Sequence, residues 1–158
     1  MCSYCGCRNL TLIGRYSDEH DECVNRLGDA RRAVESGDQE AIRAAMVHLD
    51  ELLRPHTHSE ERGLFAVLRE DDDFTDHVDS LCSEHRDLDE MLETIRDGDP
   101  SGFDAFERRL RVHIEREENG LFPAAAVSLD GEQWERIVAL DAAGGAYSNV
   151  HDHPGHSH

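Results

Sequence analysis

A chain of 158 residues, 38% apolar and 32% charged, is the size of one soluble domain and long enough to bury a core. Its 35 acids against 16 bases, every base an arginine, leave a formal charge of −19. That charge excludes a nucleic-acid surface, which needs clustered cations, and favours cations as ligands. No run of about 18 apolar residues occurs, so no membrane span is expected. No basic-then-apolar leader opens the chain, so cytoplasmic residence is expected, with the five cysteines reduced or metal-bound.

Residues 1–12 read as a cysteine-rich arm. Cys2, Cys5 and Cys7 form C-x-x-C-x-C, which offers three thiolates to one ion, zinc or iron. A fourth donor could come from the tail HDHPGHSH, where His151 and His153 stand first. A frayed arm and a disordered tail with adventitious metal affinity is the competing reading. Helix 1 is expected to start at Ser17 as N-cap, with an inward stripe of Ile13, Tyr16, His20, Cys23, Leu27, Ala30 and Val34. Ser36-Gly37-Asp38 ends it. Helix 2 carries Ile42, Met46, Leu49, Leu53, His56, Glu60 and Leu64, with Pro55 expected to kink it. The acidic run Glu70 to Asp73 is a turn. Helix 3 carries Phe74, Val78, Leu81, His85, Leu88, Leu92 and Ile95. Asp97 to Pro100 ends it, and Ser101 is expected to cap helix 4, with Phe103, Phe106, Leu110, His113, Glu117 and Leu121. Residues 13–128 thus predict an all-α, up-down-up-down four-helix bundle. Residues 129–158 predict a short fifth helix, Glu132 to Leu140 around Trp134, then a loop over Ala142 to Tyr147 and the histidine-rich tail.

Two stretches of this bundle are near copies: HTHSEERGLF from His56 and HIEREENGLF from His113, both H-x-x-x-E-E-x-G-L-F. Residues four apart share a helix face at about 6 Å. His56 with Glu60, and His113 with Glu117, can each offer a nitrogen and an oxygen to one ion, a donor set that suits iron, manganese or zinc. A Glu-His pair precedes each copy, Glu19-His20 and Glu84-His85. All six residues sit on stripes that are otherwise apolar, where ionisable groups need partners. Their depths agree as well. The midpoints between His20 and His56, Glu60 and His85, and His85 and His113 fall in the three predicted turns. The six side chains should therefore converge in one layer. Separately hydrogen-bonded core residues would explain neither the duplication nor the common depth.

This pattern resembles the hemerythrin-like, or HHE cation-binding, domain from about Ser17 to Ala126. The resemblance implies a four-helix bundle around a non-haem di-iron centre with an oxo or hydroxo bridge. Its ligands would be His20, His56, Glu60, His85, His113 and Glu117, the two glutamates bridging. A ferritin-like site would use Glu-x-x-His, the reverse order. Oxygen-carrying members of the family have a second histidine four residues away on the third helix, whereas Leu81 and Asp89 stand there in this chain. That leaves positions for water or a small ligand. Tyr16, His48, His58, Glu61, His77 and Glu118 are candidate supporting residues, and Cys23 and Cys82 read as buried thiols. The expected function is binding and redox processing of a small oxidant: peroxide, dioxygen or nitric oxide. As an enzyme it would be a catalase-like or related di-iron oxidoreductase. A dioxygen, nitric oxide or iron sensor or carrier, and a metal-storage bundle, are the alternatives.

Overall fold

The computed structural model describes the backbone of residues 7–156 and the side chains of residues 11–144. Every regular element among them is helical. In chain order they are α1 (Cys7–Ser36), α2 (Gln39–Arg62), a short α3 (Leu64–Leu68), α4 (Asp72–Arg96), α5 (Phe103–Arg116), a short α6 (Phe122–Ser128) and α7 (Gly131–His156). A 3-10 turn at Pro100–Gly102 precedes α5, and a π-helical turn at Glu117–Leu121 joins α5 to α6. Helices α1, α2, α4 and α5 form the four-helix bundle, and α5 closes against α1.

The turns follow from local chemistry. Gly37 and Gly98 take φ of 73° and 122°, where a side chain would be strained. Asp38 and Asp71 cap α2 and α4, their carboxylates accepting backbone N–H groups. Ser101 does not cap α5. Asp99 accepts from the Ser101 amide at 3.1 Å, and the 3-10 turn intervenes. Ser17 is not an N-cap either: α1 begins ten residues earlier, at Cys7, and Ser17 lies within it. An N-cap signal inside an otherwise favourable helix does not stop the helix from extending, and the Ser17 hydroxyl instead donates to Glu118 at 2.9 Å.

The expected stripes are the ones buried, except that Ile13, Val34 and Phe74 are only partly covered and Leu12 is buried in addition. The core divides in two. One apolar cluster, with Leu27, Met46, Leu92 and Phe106, fills the end bounded by the turns at Gly37 and Gly98. The other, with Tyr16, Phe65, Leu81 and Phe122, fills the opposite end. Between them lies a layer of buried polar groups: His20, His56, Glu60, His85, His113 and Glu117.

The fifth long helix is longer than expected, because residues 142–147, read as a loop, continue it. It docks on the first hairpin. Trp134 and Ile137 join Leu12 and Leu64 in one apolar cluster. Asp141 receives hydrogen bonds from Ser59 at 2.7 Å and Arg62 at 3.1 Å, and pairs with Arg15 at 3.2 Å. Gly63 allows the approach, since a Cβ there would lie 3.1 Å from the Ile137 carbonyl oxygen. Gly63→Leu is expected to lift α7, at a cost of about 1–3 kcal/mol. Trp134 is the only tryptophan, so its fluorescence reports the change. A red-shifted emission maximum is expected, and an unmoved one would show that α7 does not depend on this contact.

Candidate metal centre

Each of the four helices delivers its donors to the layer from a different side. His20 comes from α1, His56 and Glu60 from α2, His85 from α4, and His113 and Glu117 from the junction of α5 with the π turn. The i, i+4 spacing does what it promised, with His56 Nε2 3.3 Å from Glu60 and His113 Nε2 3.1 Å from Glu117.

The outward nitrogens decide the tautomers. Every Nδ1 faces a carboxylate: His20 with Glu118 at 2.5 Å, His56 with Glu19 at 2.7 Å, His85 with Glu61 at 2.6 Å and His113 with Glu84 at 2.7 Å. A carboxylate only accepts, so each Nδ1–H donates outward and each Nε2 lone pair points into the layer. There the lone pairs meet one another. His56 Nε2 lies 3.1 Å from His20 Nε2, and His85 Nε2 lies 3.0 Å from His113 Nε2. All four oxygens of Glu60 and Glu117 are buried without an angularly sound hydrogen bond, although ring nitrogens approach them at 2.9–3.3 Å. The donors aim at shared points between them.

Those points number two. His20, His56, Glu60 and Glu117 bring one donor atom each within 4.8 Å of one another, and so do Glu60, His85, His113 and Glu117. Both carboxylates belong to both groups. Donors about 2.1 Å from one ion and at right angles are about 3 Å apart, which is the spacing seen here. The residues therefore fit a pair of cations with two shared carboxylates.

Without cations, protons do the neutralising. Burial opposes charge on the His56 ring, but Glu60 and Glu19 outweigh it and lift its pKa to about 10. His85 is lifted to about 12 against the same opposition, by Glu117, Glu60 and Glu61. Burial would raise the Glu117 carboxyl, yet the rings of His113, His20 and His85 hold it well below the usual carboxylate range.

The supporting residues repeat in duplicate. Phe122 stacks on His20 at 5.7 Å between centroids and Phe65 on His85 at 5.7 Å. Glu61 and Glu118 hold rings as the sequence suggested. Glu19 and Glu84 do the same and were not foreseen in that role; the signal for them was the twice-occurring Glu-His pair. Tyr16 lies edge-on to His56 at 5.3 Å, with its hydroxyl 2.8 Å from Ser59 Oγ. Burial lifts the Tyr16 phenol above its ordinary value. Cys23 is buried beside the layer, and burial pushes its thiol up to about 12, so it stays protonated. His48 and His58 are exposed, and no hydrogen bond or ion pair joins them to the six. His77 is half-buried and separate from the layer, its Nε2 without a partner. The side chains of Cys2, Cys5, Cys7, His151 and His153 lie outside the described residues.

A four-helix bundle with histidine and carboxylate donors converging on two points defines a helical-bundle metal protein. The hemerythrin HHE cation binding domain matches residues 11–125, and the chain belongs to that family. No curated protein sequence and no solved structure matches the chain. No described helix is long and apolar enough to cross a membrane.

The raised histidines give a pH signature. A group whose folded pKa exceeds its unfolded value of about 6.5 stabilises the fold below that value, and the contribution is lost as pH rises through the folded pKa. Metal-stripped protein should therefore lose thermal stability steadily as pH rises from 7, the His56 contribution being lost by about pH 10 and the His85 contribution by about pH 12. Metal-loaded protein should lose much less, because cations replace the protons. Melting curves of the two forms check this, and parallel pH profiles would contradict it.

Proposed function

We propose that this layer holds two iron ions, one at His20 and His56 and the other at His85 and His113, with Glu60 and Glu117 shared. We further propose that the centre binds and redox-processes a small oxidant: peroxide, dioxygen or nitric oxide. The observation that supports this reading best is the sharing of both buried carboxylates between two groups of four donors. Bound iron supplies one-electron redox change and coordination positions that a small ligand can take.

The protein supplies orientation and exclusion. Glu19, Glu61, Glu84 and Glu118 fix the four rings, and loss of such partners typically costs 10–100-fold in metal affinity. Phe65 and Phe122 cover two rings, and the closely packed apolar clusters on either side exclude bulky ligands. Of the two places where oxygen-carrying relatives would have a further histidine, Leu81 offers no donor and Asp89 is outside both donor groups. That favours turnover over stable oxygen carriage.

His56→Ala and His113→Ala should each release metal and destabilise the fold by about 3–5 kcal/mol, because buried carboxylates lose their partners. His48→Ala should do neither. Metal analysis with thermal melts checks this, and equal metal loss in all three variants would place the ligands elsewhere.

Iron-loaded protein should decompose hydrogen peroxide, and Glu117→Ala should abolish that activity. Stopped-flow mixing of the reduced protein with dioxygen separates the readings. Rapid irreversible oxidation supports redox processing. A reversible adduct lasting minutes overturns it in favour of a carrier or sensor.

A further inference from the structure

The two hairpins superpose in sequence register. His20 of α1 corresponds to His85 of α4, 65 positions on, and His56 of α2 to His113 of α5, 57 positions on. The same offsets carry the seat of α7 onto another part of the surface. Gly63, where the Ile137 carbonyl comes closest, corresponds to Gly120. Leu12, which α7 covers, corresponds to His77, and Arg62 corresponds to Asn119. These three counterparts line one open groove of about 760 Å³ between α4 and the π turn. The molecule thus has two related seats, and its own chain fills one.

The second seat keeps the features a helix needs. A Cβ on Gly120 would meet only His77 Cε1, at 3.9 Å, so a backbone can approach there as α7 does at Gly63. Val112 in the groove is 51% exposed, one of few large apolar side chains left in solvent. His77 Nε2 is buried and unpartnered beside it. What differs is charge. The first seat takes the acid Asp141 on Arg15 and Arg62. In the second, Arg116 is already paired with Glu84, and the rim carries Asp76 and Glu115.

We propose that this groove is the docking site for an amphipathic helix of a partner protein. The helix presents a small or apolar face to Gly120 and Val112 and basic residues to Asp76 and Glu115. A chain of charge −19 attracts such a partner and repels a second copy of itself. The docked helix would rest on the turn that carries Glu117 and Glu118. The proposal does not depend on which metal the layer holds.

The probe is a fluorescent peptide of residues 131–144, the stretch that fits the first seat, made basic by Glu132→Lys and Glu135→Lys. Anisotropy titration against the metal-loaded full chain should give saturable binding that weakens with salt. Gly120→Leu should weaken it at least tenfold while leaving the metal spectrum unchanged. Asp76→Asn with Glu115→Gln should remove the advantage of the basic peptide over the unmodified one. If Gly120→Leu does not fold, Val112→Glu is read in its place. No saturable binding, or binding indifferent to these substitutions, overturns the proposal. So does a dimer in sedimentation that Gly120→Leu abolishes, which would make a second copy the occupant.

Discussion

The fold turns on one electrostatic constraint: the inward nitrogens of four imidazoles and two carboxylates face each other in one buried layer. Nε2 atoms 3.0 and 3.1 Å apart, whose far nitrogens each donate to a carboxylate, need a positive charge between them, a proton or a metal cation. Uncompensated buried charge is among the costliest features a core can carry. The layer divides the apolar interior into two clusters, so whatever neutralises it also holds the halves together. Protons can do this in the metal-free protein, at the price of rings whose pKa values rise far above the ordinary.

Duplication explains how one short chain builds the site. Each hairpin contributes two histidines and one shared glutamate, and the ring-holding acids cross over. Glu19 and Glu84 serve rings of their own hairpin, whereas Glu61 and Glu118 serve rings of the other. The two halves are therefore tied by hydrogen bonds as well as by the shared carboxylates. The backbone irregularities repeat too. Gly63 and Gly120 each stand three residues after a shared glutamate, the first at a helix break and the second within the π turn, and the Leu-Phe pair that follows each is buried. Extra residues in a helical turn tend to occur at functional sites.

Much of this was legible in the sequence because it follows from periodicity. The stripes of α2 and α5 are buried residue for residue, and equal distances from the turns placed His20, His56, His85 and His113 at one height. Glu19 and Glu84 were not legible as ring holders, because each sits one residue off its stripe. The repeated Glu-His pair marks each residue, but its target belongs to a neighbouring helix, so tertiary packing is what reveals the ring it holds. The length of α7 was hidden for a different reason. Among its described side chains only Trp134 and Ile137 are buried, so it has no sustained apolar stripe, and glycines at 144 and 145 read as a loop. Gly144 is instead a place of close packing, since a Cβ there would run into the Arg62 side chain.

The central claim is that two ions share Glu60 and Glu117. Anomalous scattering at the iron edge from crystals of iron-loaded protein tests it most directly. The account predicts two peaks per chain, about 3.5 Å apart as in other paired-metal sites, one flanked by His20 and His56 and the other by His85 and His113. A single peak, or two peaks that do not both contact Glu60 and Glu117, would contradict it.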